Sequence, residues 1–319
     1  MPKTGFVALI GRPNSGKSTL LNLLVGEKIA IVSDKPQTTR NRVLGVRNQP
    51  GCQMVFVDTP GVHRPGFRMN ERMMETVYEA LREVDLLVHL VDASERFGKG
   101  EQYVLDLVKR ADKPAILALN KIDLISKGKV LPMIEFFSRQ HSYADIVPIS
   151  AIRADNIEAL LGSIAAGLPD GDYLYPPDYL TDQTERFLAS EIIREKLLSH
   201  TREELPYATA VKIEGFDEAL RSEGFVRISA SIIVDKDTQK KIVIGRGGQM
   251  IKTIGTEARK ELERFLSVRR IYLELNVSVV PGWRNVDYLL DEMSCGEPQL
   301  PSPESAPASA PPADPEQEA

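Results

Sequence analysis

Residues 6–25 read FVALIGRPNSGKSTLLNLLV, an apolar run, a loop carrying two glycines and a proline, and a second apolar run whose leucines recur at helical spacing. The period changes from that of a strand to that of a helix across eight residues, so the loop is forced to be a strand-to-helix turn. Gly11, Arg12, Pro13, Asn14, Ser15, Gly16, Lys17 and Ser18 fit the spacing G-x-x-x-x-G-K-[ST]. A glycine turn at a helix start presents free N–H groups and the positive end of the helix dipole to an anion. In this pattern the amides cradle phosphates, Lys17 bridges the β and γ phosphates, and the Ser18 hydroxyl ligates Mg²⁺, with Thr19 continuing the site.

Such a loop works at the carboxyl edge of a parallel sheet, and the next 150 or so residues supply one. Apolar runs alternate with helical patterns: FVALI then 16–25, MVFVD then 70–81, LLVHLVD then 100–109, AILALN then 131–140, IVPIS then 156–166. The expectation is a mostly parallel α/β sheet covered on both faces over residues 1–168. Residues 169–182, rich in Pro, Asp and Tyr, break both periods and read as a linker. Residues 183–293 give a helix, two alternating strands, a second glycine loop, a helix over 249–265, a strand and a short last helix, the pattern of a compact α+β unit.

Charge is informative once located. Residues 294–319 hold five acidic residues and no basic one, which equals the net charge of −5 for the whole chain, and seven of its 21 prolines. That composition predicts a disordered acidic tail. By contrast 236–270 carries ten basic residues against four acidic ones, centred on VIGRGGQMIK. No run is long enough to span a membrane, and the start has no signal-peptide layout. Cys52 and Cys295 form neither a metal-ligand spacing nor a disulfide framework, so a soluble cytosolic chain is expected.

The choice of nucleotide rests on residues beyond the first loop. Asn120, Lys121 and Asp123 stand in NKID after a strand, where a carboxylate accepts from guanine N1–H and its exocyclic amine, donors that adenine lacks. Alone, this quartet would read as a helix start. It lies downstream of Asp58, Thr59, Pro60 and Gly61, which end a strand so that Asp58 holds Mg²⁺ through water and the Gly61 amide senses the γ phosphate. Thr39, in QTTRN, adds a hydroxyl to Mg²⁺ when triphosphate is bound, and Ser150 and Ala151 close over the base. Lys17, Thr39, Asp58 and Gly61 are thus the expected catalytic set.

The motifs GRPNSGKST, PQTTR, DTPGV and NKID in this order, joined to VIGRGGQMIKTIG, resemble the bacterial Era family of GTPases over about residues 5 to 290. The resemblance implies a P-loop GTPase domain followed by a type II KH domain, and a GTP-hydrolysing switch that binds the 3′ end of 16S rRNA and assists 30S subunit maturation. It implies a monomer, and some contact with the inner face of the cell membrane. Gly245, Arg246, Gly247 and Gly248 would form the G-x-x-G loop that clamps single-stranded RNA. Lys240, Lys241, Lys252 and Arg259 would contact phosphates, and Ile242, Val243, Ile244, Ile251 and Ile254 would floor the base groove.

Val62 stands where many GTPases place a water-orienting glutamine, which predicts slow intrinsic turnover. The resemblance implies a group of GTPases that sometimes use K⁺ through an asparagine matching Asn14; a simple turn residue fits Asn14 as well. His63 reads as an exposed loop residue rather than a base. Three positions depart from the family's pattern: Ser15 where valine is usual, Ile152 where Lys or Leu is usual, and the tail. A small-molecule kinase would have no use for NKID, and a decayed GTPase would not keep Lys17, Ser18, Asp58 and Asp123 together.

Overall fold

The computed structural model describes residues 1–35, 37–62 and 67–294. The expectations for His63, Cys295 and the acidic tail fall outside them. The first unit runs β1 (Lys3–Gly11), α1 (Lys17–Val25), β2 (Val43–Gln49), β3 (Cys52–Asp58), α2 (Arg68–Glu83), β4 (Leu86–Asp92), α3 (Lys99–Ala111), β5 (Ala115–Asn120), α4 (Val130–Gln140), β6 (Asp145–Pro148) and α5 (Ile157–Gly167). Its six strands lie in the order β2-β3-β1-β4-β5-β6, parallel throughout except for β2 against β3.

The unbroken apolar runs are explained by burial on both faces. In β1, Val7 and Leu9 point into one core with Leu20, Leu24, Leu160 and Ile164 of α1 and α5. Ala8 and Ile10 point into the other with Met74 and Val77 of α2 and Val104 and Val108 of α3. The side-chain period of two sends each strand into both layers. β1 sits between β3 and β4, so its loop opens at the centre of the sheet's carboxyl edge.

β2 is an element that the sequence pattern does not announce. A Cβ on Gly45 would lie 2.5 Å from Ile29 Cδ1 and 2.6 Å from Val25 Cγ2, so glycine lets the strand pass against α1. The linker covers β2: Val46 N donates to Leu180 O at 2.8 Å, and Thr181 Oγ1 donates to Leu44 O at 2.6 Å. Fully buried Gln53 accepts from Leu174 N and Tyr175 N and donates to Tyr175 O. The linker is a docked strap, and it protects a sheet edge that would otherwise expose unpaired amides.

The second unit runs α6 (Glu185–His200), α7 (Leu205–Ala208), β7 (Thr209–Asp217), β8 (Phe225–Val234), α8 (Asp237–Ile244), α9 (Gln249–Phe265), β9 (Arg270–Val279) and α10 (Asp287–Ser294). β8 is central, antiparallel to β7 and parallel to β9. Helices α6 and α9 pack Ile192, Ile193, Leu197, Ile254, Ala258 and Leu262 against strand residues Val226, Ile228 and Ile232.

The two units share a seam. Met69 and Met73 of α2 join Ala210, Ile233, Trp283, Leu289 and Leu290 in one apolar cluster. Arg72 pairs with Asp287 at 2.7 Å and Asp291 at 2.6 Å, and Lys28 pairs with Glu195 at 2.7 Å and with Glu261 at 2.5 Å.

Candidate functional site: two bare helix starts

Helices α1 and α9 begin in the same way. Each has a left-handed glycine at its N-cap, Gly16 (φ 100°) and Gly248 (φ 77°), with no side-chain cap and no acidic residue in the first turn. Uncapped amides and the dipole's positive end are left for an external anion.

At the first start, Lys17 lies back over the loop, its Nζ donating to Gly11 O at 3.2 Å and Arg12 O at 3.0 Å. Ser18 Oγ lies 2.7 Å from Thr39 Oγ1 and donates to Asp58 Oδ2 at 2.7 Å, and Thr39 Oγ1 reaches the same oxygen at 3.2 Å. Three hard oxygen donors from three separate segments therefore converge. Burial pushes the Asp58 carboxyl up, against Lys17 and the hydroxyls of Ser18 and Thr39. Burial likewise pushes the Lys17 ammonium down, opposed by Asp58 and Glu101. Asp58 Oδ1 is buried and has no hydrogen-bond partner. A buried, partnerless carboxylate oxygen beside two hydroxyls suits a small divalent cation that takes oxygen ligands.

Around this point is a cavity of about 720 Å³, walled by 12–19, 31–35, 37–39 and Gly61, with Asp92, Glu95, Glu101, Lys121 and Ile152 on the far side. Gly61 stands close to the loop, since a Cβ there would lie 2.9 Å from Pro13 Cα. Thr59 is buried, its hydroxyl donating to Leu9 O at 2.8 Å, and Val62 is buried with its N–H on Gly11 O at 3.3 Å. Asn14, left-handed at φ 64°, donates to Asp34 O at 2.6 Å. Ser15 is 1% exposed, and its hydroxyl has no partner, so the site built around it would suit an apolar side chain.

The NKID residues form a frame next to the cavity. Asn120 Nδ2 donates to Ser15 O at 2.8 Å while its Oδ1 accepts from Ala151 N at 3.0 Å, tying the phosphate loop to the Ser150-Ala151 turn. Lys121 pairs with Asp92 at 2.5 Å. Asp123 is not on the cavity wall; its Oδ1 accepts from Ser150 Oγ at 2.7 Å. Sequence reasoning misses Asp92 and Glu101. Glu101 is buried and hydrogen-bonded to fully buried His89 at 2.9 Å, a pairing across twelve residues that no motif signals.

At the second start, Gly245 closes α8 with its N–H on Lys241 O at 2.9 Å, and Gly248 N donates back to Gly245 O at 3.2 Å. Arg246, Gly247, Lys241 and Lys252 are exposed, and Lys240, Ile244 and Ile251 are half-buried. The expected groove floor needs correction. Val243 and Ile254 are fully buried and belong to the core under the loop, because α8 turns one face inward and α9 packs on the sheet. Ile242 is half exposed, at 50%.

A protein-family model described as a 50S ribosome-binding GTPase matches residues 6–121, and a KH domain model matches 204–284. GTPase Era of Geobacter metallireducens is 47% identical over 291 residues, covering 91% of this chain and 97% of that one. GTPase Era of Geotalea uraniireducens is 45% identical over 290 residues, with 91% and 97% covered. Among solved structures, an Aquifex aeolicus Era variant bound to GDP and AlF4⁻ matches with TM-score 0.87 at 41% identity, covering 91% of this chain and 98% of that one. An Era in complex with MgGDPNP and nucleotides 1506–1542 of 16S ribosomal RNA matches with TM-score 0.88 at 41% identity, covering 92% and 99%.

Proposed function

Since the chain belongs to the Era family of GTPases, we propose that it binds GTP at the first helix start, binds the 3′ end of 16S rRNA at the second, and hydrolyses GTP while assisting 30S subunit maturation. The observation that carries this reading is the convergence of Ser18, Thr39 and Asp58 beside Lys17, in a chain whose second unit presents another bare helix start in a basic segment.

Each residue of the first site then has its task. The amides of 14–19 hold the β phosphate, and Lys17 gives up its two carbonyl acceptors for β and γ oxygens. Ser18, Thr39 and, through water, Asp58 would hold Mg²⁺, which would offset charge on the phosphates. Gly61 N–H faces the γ phosphate, and Asp123 leaves Ser150 to take guanine. Hydrolysis cleaves the bond between the γ phosphorus and the β–γ bridging oxygen while water supplies the new oxygen, giving GDP and phosphate. Val62 is buried and cannot orient that water, so turnover rests on positioning and is slow without help. Asn14 is the proposed K⁺ ligand.

Lys240, Lys241, Arg246 and Lys252 hold the RNA backbone around Gly245, Gly247 and Gly248, and Ile244 and Ile251 meet the bases. A monomer suffices, since each site is built within one chain. Peripheral contact with an anionic membrane would draw on the same exposed cations; no described helix is long and apolar enough to cross one. Binding of GTP against ATP, and GTP turnover with and without the RNA 3′ end, test the whole. ATP binding as tight as GTP binding would refute it.

A further inference from the structure

Residues 37–42 carry Thr39 into the cation site, yet they and residues 31–35 are gripped from the other unit. Helix α6, whose apolar side is built into the second unit's core through Ile192, Ile193 and Leu197, places Arg194 and Glu195 against this segment. Glu195 Oε1 accepts from Val32 N at 3.0 Å, and its Oε2 accepts from Lys28 at 2.7 Å. Arg194 is 3% exposed. Its Nε and Nη2 are held by Glu191 at 2.7 and 2.6 Å, which aims the rest of the fork outward. Nη1 then donates to Gln37 O at 3.5 Å and Nη2 to Thr38 O. On the far side of Thr39, Arg40 donates to Pro206 O at 3.0 Å and Thr209 O at 2.8 Å.

Thr38 and Arg40, the two neighbours of Thr39, are thus both pinned to the second unit. The backbone between two pins has little freedom, so the place of the Thr39 hydroxyl is set by α6 and the start of β7. We infer that Arg194 is a positioning residue for triphosphate binding: it acts through Thr39, holding the hydroxyl where Ser18 and Asp58 complete a cation site. The inference rests on the GTPase reading above and assigns part of that site's geometry to the RNA-binding unit. A diphosphate does not call on Thr39, so the effect is selective between nucleotides. By linkage, whatever shifts α6 shifts triphosphate affinity, and triphosphate shifts α6 equally.

The test uses the full chain, as wild type, Arg194→Ala and Arg194→Lys, titrated with fluorescent GDP and with fluorescent GDPNP at several Mg²⁺ concentrations. In Arg194→Ala the GDPNP affinity should fall about tenfold and its Mg²⁺ midpoint rise, while GDP affinity stays within about twofold, an ordinary size for coupling between sites. Lysine keeps the charge but cannot reach Glu191 and two carbonyls together, so Arg194→Lys should show the same selectivity more weakly. Equal losses for the two nucleotides would mean a merely structural role, and unchanged GDPNP affinity in a folded variant would mean no role; either overturns the inference. If thermal melts show Arg194→Ala unfolded, the Lys variant decides by the same ratio. Failure of the GTPase reading itself would show in the wild type, as no preference for GTP over ATP.

Discussion

Replacing Arg246 and Gly247 together by aspartate should weaken RNA binding severely and spare the fold. The structure separates these two effects within one loop. A Cβ at Gly247 meets nothing within 4 Å, and its φ of 60° is a left-handed value that aspartate tolerates better than most residues. The strain costs about 1 kcal/mol, roughly 4–8 °C of melting temperature in a domain near 100 residues. The exposed side chains change charge by three units where RNA phosphates must pass. One attraction is lost and two repulsions appear, each about 1 kcal/mol at such a surface, so affinity should fall roughly a hundredfold. The slope of log affinity against log salt should flatten by about 0.7 for the lost contact. Gly245→Ala makes the opposite comparison, since its Cβ would lie 2.6 Å from Met250 Cβ and 2.9 Å from Met250 N at φ 74°. It should destabilise the unit by about 3 kcal/mol through strain and overpacking. Fluorescence anisotropy with an RNA of the 3′ terminal sequence and circular dichroism melts read both quantities. Wild-type RNA affinity in the folded double variant would refute the loop's assignment.

Asp123→Asn should weaken GTP and favour xanthosine triphosphate, whose C2 oxygen replaces the amine, as measured by competition binding; an unchanged preference for GTP removes Asp123 from the base site. Replacing Na⁺ by K⁺ should speed GTP hydrolysis in the wild type and not in Asn14→Ala, and equal rates in both salts would exclude the K⁺ role. Burial works against ionisation of Glu261, but hydrogen bonds from Lys196 and Lys28 outweigh it and hold the carboxyl below its ordinary value. A lowered carboxylate stabilises the fold above its unfolded pKa and loses that contribution as pH falls through the folded value. Acid melts should therefore flatten in Glu261→Gln relative to wild type below the ordinary glutamate range, and parallel curves would show that the pair across the seam contributes nothing.

The first glycine loop, the NKID turn beside its cavity and the second glycine loop can be located in the sequence because each is contiguous and marked by residue types at fixed spacing. The sheet follows from apolar runs that burial on both faces requires. β2 is hidden because Gly45, there for close approach to α1, weakens the strand signal. α8 is hidden because its apolar triplet reads as surface beside a loop, although Val243 faces the core. The Arg194 and Arg40 contacts end on carbonyl oxygens, which every residue has, so no pattern of side chains reports them. Asn120 reads from its motif as a nucleotide contact, and what the fold displays is a strut between Ser15 and Ala151. Such second tasks arise only once distant segments meet.

The chain contains a single tryptophan, and the fold has put it at the seam. Trp283 is fully buried, its indole N–H on Ala208 O at 3.1 Å, its ring clustered with Met69 and Met73 of the other unit and 5.8 Å from the Arg40 guanidinium. Excited at the red edge of the absorption band, where the nine tyrosines do not absorb, the protein therefore emits from one place. A blue-shifted spectrum means the units are closed on each other, and a red shift with greater quenching by iodide means the indole has met water. No label needs to be attached, and stopped-flow mixing with nucleotide or RNA would time the parting of the two units in the unmodified molecule.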